Sequence, residues 1–324
     1  MNFQDLKKIE KPQFYLDVAF NRATKKIKEL KQSKKEKDQV KKAKSLEHIR
    51  IDIIESNLND PLRQIISCFP SIDSLDKFYV ELIKCTLDYS DLKKSLGSVD
   101  WAVKKISLFS KEYKRRASRL NEIDQINKNR REYYGRISSV LKQIKKYLLY
   151  LEEARKTMRN YPDIKTSCFT VCIFGFPNVG KSTLLSKITP ANPEINSYAF
   201  TTKGLNLGYI NLPGNKIQII DTPGTLNRKE KMNYIELQAY LAATYVADTI
   251  VYVFDPTDTY DINDQKKLLK RAKEFDKDIL IYLSKTDKAS EESVTHFKEK
   301  YKDIITDSEV LKEKLIKNSK KHKK

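Results

Sequence analysis

Residues 169 to 188 read FTVCIFGFPNVGKSTLLSKI. The first six are apolar and rich in β-branched and aromatic side chains, as in a buried strand, and the last eight open a helix. Between them GFPNVGKS, residues 175 to 182, fits the pattern GxxxxGK followed by Ser or Thr. In that order of strand, loop and helix, successive backbone N–H groups and the helix N-terminus turn toward a phosphate. Gly175 and Gly180 let the backbone curl, with Phe176, Pro177, Asn178 and Val179 between them and Thr183 just beyond. Lys181 is expected to reach the β- and γ-phosphates, and the Ser182 hydroxyl to coordinate Mg²⁺.

The rest of a nucleotide site lies downstream. Residues 221 to 224, DTPG, directly follow the apolar run KIQII, so Asp221 is expected to hold the Mg²⁺ through water and the Gly224 N–H to meet the γ-phosphate. In AFTTKG, between the two motifs, Thr202, or alternatively Thr201, is placed to close over Mg²⁺ when the γ-phosphate is present. After DILIYL comes Ser284-Lys285-Thr286-Asp287, which differs from the guanine-reading NKxD of GTPases only at its first position. Asp287 accepts two hydrogen bonds from the guanine N1–H and N2 amino group, which adenine cannot supply, and the stem of Lys285 covers the base. Ser284 lacks an amide's paired bonding, so guanine specificity with weakened affinity is expected. Thr306-Asp307-Ser308 is the candidate for a fifth, base-supporting motif.

Outward from this stretch, Phe169–Phe174, Lys216–Ile220, Thr249–Phe254 and Asp278–Leu283 are short apolar runs separated by helical stretches. That alternation predicts a mainly parallel sheet covered by helices. Upstream the period changes. Residues 13 to 60, 98 to 134 and 136 to 161 contain neither proline nor glycine. Ile137, Leu141, Ile144, Leu148, Leu151, Ala154 and Met158 form one stripe of a long helix, and Val103, Ile106, Tyr113, Ala117 and Leu120 a second. Such stripes need burial against other helices, so the first half is a helical bundle. The domains expected are a basic helical one at 1–165, a nucleotide domain at 166–316 and a lysine-rich disordered tail at 317–324.

The net charge is +20. Residues 1 to 165 carry 38 basic and 23 acidic side chains, and residues 101 to 165 alone carry 18 and 7. A solvated lysine-rich surface is one reading. The other is a face for RNA, whose affinity falls steeply with salt. Tyr133 and Tyr134, beside Arg130 and Arg131, are candidates to stack on unpaired bases, with core packing the competing role for at least one of them. The tail KNSKKHKK adds nonspecific RNA affinity. His48, His296 and His322 stand isolated, without metal or catalytic spacing. The four cysteines, Cys68, Cys85, Cys168 and Cys172, form no CxxC pair and read as reduced, buried small hydrophobes. No apolar run reaches the ~18 to 20 residues of a membrane span, and the start lacks a signal peptide, so neither a membrane nor DNA is an expected partner and the location expected is cytoplasmic.

With GFPNVGKS, YAFTTKG at 198–204, DTPGTLNRKEKMNYIELQAYLAATYVADTIVYVFDPT at 221–257 and SKTD, the second half resembles the Obg-related, translation-factor-class GTPases. CFPSIDSLDKFYVELI at 68–83, DLKKSLGSVDWAVKKI at 91–106 and YGRISSVLKQIKKYLLYLEEARK at 134–156 extend the resemblance to the nucleolar GTP-binding protein 1 (Nog) family. It implies a helical bundle followed by a Ras-like P-loop GTPase domain with a mainly parallel six-stranded sheet. It also implies GTP and GDP as ligands, and a role in large-ribosomal-subunit assembly through immature ribosomal RNA and ribosomal proteins. The long C-terminal extension of eukaryotic members is missing, which implies a short, archaeal-type form without a nucleolar address. In related GTPases an Asn at the position of Asn178 helps hold K⁺ beside the phosphates, so K⁺ stimulation is expected. Ras-type enzymes orient the attacking water with a Gln just after DxxG; here Thr225 and Leu226 follow, so hydrolysis is expected to be slow. The competing function is a signalling guanine-nucleotide sensor acting on a protein partner, with no RNA role.

Overall fold

The computed structural model describes residues 3–33, 38–189, 205–223, 233–257 and 259–321. Thr201, Thr202, Gly224, Thr225, Leu226 and His322 lie outside the described residues.

Helices fill the first half: α1 (Pro12–Ser33), α2 (Gln39–Cys68), α3 (Lys77–Thr86), α4 (Tyr89–Arg119), α5 (Ile123–Gln143) and α6 (Lys145–Arg159). Their starts follow from local chemistry. Pro12 is the first residue of α1, where its missing N–H costs nothing. Asp38 and Asp88 cap α2 and α4 by accepting hydrogen bonds from first-turn backbone N–H groups. Every member of the first stripe is buried, but it spans two helices, because Ile144 leaves helical geometry for one residue (φ −88°, ψ 3°). In the second stripe Val103, Ile106, Tyr113 and Ala117 are buried, while Leu120 ends α4 half-exposed. α2 runs on through Pro61, a residue expected to interrupt it. Leu58 and Leu62, both fully buried beside it, supply packing that offsets the lost backbone bond. α4 packs against α2, α5 and α6, and α1 against α2.

Contacts divide the chain into two compact units: residues 2–75 with 83–161, and residues 76–82 with 162–324. The second therefore recruits the start of α3 from upstream of the boundary expected near 165. Tyr79 explains why. Its hydroxyl lies 3.0 Å from the carbonyls of Pro162 and Ile164 and accepts the Ile164 N–H at 3.0 Å, while Asp76 accepts the Thr166 hydroxyl at 2.5 Å.

The second unit continues with β1 (Phe169–Phe174), α7 (Lys181–Ile188), β2 (Asn206–Leu212), β3 (Asn215–Asp221), α8 (Tyr234–Tyr245), β4 (Thr249–Phe254), α9 (Ile262–Lys273), β5 (Asp278–Leu283), α10 (Glu291–Lys300) and α11 (Ser308–Lys321). The sheet order is β2-β3-β1-β4-β5, parallel except for β2 against β3. Among the described residues it has five strands, not the six expected. The sixth is reduced to one bridge between Tyr282 and Ile305, because Asp307 at once begins the turn into α11, accepting the Glu309 N–H. β2 was not evident from the sequence, and Gly208 interrupts its pattern for a steric reason. A Cβ there would stand 2.7 Å from Leu185 and Thr189 side-chain atoms, so glycine lets α7 lie on the strand. Residues 317–321, expected to be disordered, are the end of α11, with Ser319 buried.

Val171, Ile173, Ile217, Ile219, Val251 and Val253 from the central strands pack with Leu184, Leu185 and Ile188 of α7 and Leu311 and Leu315 of α11. The carboxyl ends of β1, β3, β4 and β5 are thereby held side by side, where open α/β sheets bind ligands. Among the described residues, no helix is long and apolar enough to cross a membrane.

Candidate functional site

The loop from β1 to α7 is built on backbone that most side chains resist. Gly175 has φ +155°, and a Cβ there would meet the Val253 carbonyl oxygen at 2.7 Å, so the loop leaves β1 against β4 only with glycine at this position. Asn178 at φ 58° and Gly180 at φ 95° complete the curl, and Gly180 is the cap of α7. Phe176 packs on Tyr260, ring centroids 4.9 Å apart. Val179 is buried, whereas Asn178 and Thr183 are exposed and Pro177 half-exposed.

Lys181 is buried within this curl. Its Nζ donates to the carbonyls of Gly175 (3.1 Å) and Phe176 (2.6 Å). Burial lowers its pKa from 10.5 to about 8, against the opposing pull of the Asp221 carboxylate. The ammonium group is thus held at the loop with few competing charges.

Asp221, at the end of β3, stands next to the loop because β1 and β3 pair in parallel, Ile173 opposite Asp221. Its Oδ2 accepts the Ser182 hydroxyl at 2.5 Å and the Asn206 side-chain amide at 3.3 Å. Its Oδ1 is buried without a hydrogen-bond partner among the described residues. A hydroxyl and a carboxylate with one unpaired buried oxygen suit Mg²⁺, which takes one or two protein oxygens and completes its shell with waters and substrate phosphates. Among the described residues, no group of three or more His, Cys, Asp or Glu side chains could hold a metal alone.

The base-reading end rests on β4 and β5. Ser284 is buried, and its hydroxyl lies 2.6 Å from the Val179 carbonyl and 2.9 Å from that of Phe254. One hydroxyl proton is shared between two carbonyls, so this serine still ties SKTD to the phosphate loop, at the tie an amide would make with two donors. Lys285, at φ 50°, donates to Asp255 Oδ2 at 2.6 Å. Asp255 is fully buried and held from several sides: Oδ1 accepts from the Thr257 N–H and hydroxyl, and Gln265 bonds both its backbone N–H and its carbonyl. Asp287 is exposed, with no bonded partner among the described residues.

Sequence reading missed Asp255, Gln265 and Asn206. Asp255 carried one usable signal, its place directly after an apolar strand; the other two are joined to the site only by strand order. A cleft of about 500 Å³ beside Asp255, lined by Thr257, Tyr260, His296 and Phe297 among others, holds none of the phosphate-loop residues.

In the helical unit the core-packing alternative holds for Tyr133, and neither tyrosine ring stands free for base stacking. Tyr133 is fully buried with its hydroxyl 2.9 Å from that of Ser110, and Tyr134 is half-buried and stacked on Phe20 at 4.4 Å. The α5 period turns both inward. No disulfide joins the four cysteines, and only Cys172 is buried, where burial pushes its thiol pKa up; Cys85 is exposed.

Residues 3–165 match the family model of the NOG1 N-terminal helical domain, and residues 170–285 that of the 50S ribosome-binding GTPase. An uncharacterized protein of Methanocaldococcus jannaschii is 38% identical over 90% of this chain and 83% of its own length. Nucleolar GTP-binding protein 1 of Drosophila melanogaster is 31% identical over 74% of this chain, and that of Encephalitozoon cuniculi 34% over 70%. The matches span 37% and 44% of those two nucleolar proteins.

Proposed function

Since the chain belongs to the nucleolar GTP-binding protein 1 family, we propose that it binds GTP, hydrolyses it slowly and acts as a molecular switch in assembly of the large ribosomal subunit. One observation carries this reading: a buried lysine, a serine–aspartate pair with an unpaired oxygen and the SKTD segment converge on the phosphate loop at neighbouring strand ends. The loop N–H groups and Lys181 bind the phosphates. Lys285, steadied by Asp255, covers the base, and the open Asp287 carboxylate takes the guanine N1–H and N2 amino group. Ser182, and Asp221 through water, would hold Mg²⁺, which would supply positive charge to neutralise the β- and γ-phosphates. Thr202, or Thr201, would close over the Mg²⁺ when the γ-phosphate is present, and the Gly224 N–H would meet the γ-phosphate.

Hydrolysis is slow because Thr225 stands where a glutamine would orient water. Asn178, exposed at the rim of the loop, holds K⁺ there; equal turnover in K⁺ and Na⁺ would remove that role. The switch is assigned to residues 196–204 and 221–233, which lie largely outside the described residues, and the nucleotide state changes the grip of the helical domain on ribosomal RNA and proteins. The relatives' names and the ribosome-binding GTPase match support this partner. Co-sedimentation of the full chain with large-subunit precursors, with GTP and with GDP, tests it. Nucleotide-dependent pelleting is expected, and none with either nucleotide would refute the assembly role.

A further inference from the structure

The outer face of α4 combines features that its inner face does not need. At 100° per residue, Trp101, Lys105, Leu108, Lys111, Arg115 and Arg119 fall on one stripe, opposite the buried Val99, Val103, Ile106, Ser110 and Ala117. Trp101 and Leu108 are 38% and 54% exposed although both are large and apolar. One turn before Trp101 stands Gly97, where a Cβ would have no atom within 4 Å, so the helix is bare beside the indole. Lys105, Lys111, Arg115 and Arg119 enter no ion pair among the described residues, unlike Lys104 and Arg116 nearby, paired with Asp100 and Glu132. The same arc also holds one acid, Glu112, and Lys104 with its Asp100 partner.

We propose that this stripe of α4 is a docking face for single-stranded ribosomal RNA, with the Trp101 indole stacked on an unpaired base and Lys105, Lys111, Arg115 and Arg119 along the phosphates. The proposal rests on the RNA-contacting role assigned to the helical domain above and names the surface that performs it. Charge complementarity selects the occupant. Unpaired cations recurring along one face suit a polyanionic backbone, and an exposed aromatic ring in a bare patch suits a base rather than an acidic protein surface. The apolar area, two side chains two turns apart, is too little to hold a lipid surface.

Trp101 is the chain's single tryptophan, so its fluorescence reports on this face alone. Titrating the full chain, loaded with GTP, with single-stranded ribosomal RNA should quench that emission in step with binding measured independently by filter retention. Trp101→Ala should weaken binding about tenfold. Joint Arg115→Glu and Arg119→Glu should lower the slope of log affinity against log salt by about two and leave GTP affinity unchanged. Binding without quenching, and with an unchanged slope in the double variant, would place the RNA elsewhere and overturn this face while leaving RNA binding intact. No RNA binding by the unaltered chain would overturn the underlying reading as well. Quenching by anionic phospholipid vesicles but not by RNA would assign the stripe to a membrane surface and also refute the proposal.

Discussion

The two units use charge in opposite ways. In the nucleotide unit the decisive charges are singly placed and, apart from the open Asp287, buried: Lys181 against its own loop carbonyls, Asp255 under Lys285, Asp221 with one oxygen unmatched among the described residues. In the helical unit the buried charges brace the fold. Glu152 pairs with Arg155 through two bonds of 2.8 Å and also accepts the Ile9 N–H, pinning the N-terminal segment to α6. Glu47, whose carboxyl pKa is raised by burial against the pull of Arg50 and Arg130, sits between helices. Its working charges lie outside, spread along a helix. A buried site fails with the loss of one group, whereas an exposed face weakens by degrees.

The largest effect is expected at Lys181. Lys181→Ala should reduce GTP affinity by more than a hundredfold in a calorimetric titration; near-normal binding would remove the phosphate-loop assignment. Asp255→Asn should weaken GDP about tenfold and lower stability by about 1–3 kcal/mol, because Lys285 loses its charged partner and a buried bond set is disturbed. Tripolyphosphate should bind this variant as it binds the parent, since the lysine acts on the base; equal loss for both ligands would mean a purely structural role.

Titration of Lys181 gives the next effect. Its folded pKa of about 8 lies below the ordinary 10.5, so between those values the unfolded chain holds the extra proton and the stability of the nucleotide-free protein rises with pH. Bound phosphates favour the ammonium form, so GTP affinity should fall about fivefold between pH 8 and pH 9, with proton uptake on binding. Affinity flat across that interval would mean that Lys181 is not recharged by the ligand.

What was legible in the sequence follows the same division. GFPNVGKS, DTPG and SKTD are contiguous, and each chemical role follows from neighbours in the chain. Gln265 and Asn206 became neighbours of those motifs only through the strand order β2-β3-β1-β4-β5, which no local pattern encodes, whereas Asp255 was marked at least by its place directly after an apolar strand. The sixth strand was expected from the resemblance, and the early turn at Asp307 cuts it to one bridge. In the helices, periodicity named the buried stripes except Leu120, while for Tyr133 and Tyr134 it left base stacking and core packing both open until the turn of α5 decided for packing. The same question applied to α4 exposes Trp101.

The smallest effect concerns backbone entropy alone. Gly135 lies inside α5 with open space where a Cβ would stand, so Gly135→Ala should raise stability by about 1 kcal/mol in urea unfolding and leave GTP binding unchanged. A destabilised variant would mean that the glycine serves close packing in the bundle.

The central claim is that Lys181 and Asp287, on different strand ends, hold the two ends of one guanine nucleotide. Titrating the full chain with GTP and with ATP in the presence of Mg²⁺ tests it most directly. Saturable GTP binding, with ATP weaker by at least a hundredfold, is expected; equal affinity for the two would rule the pairing out.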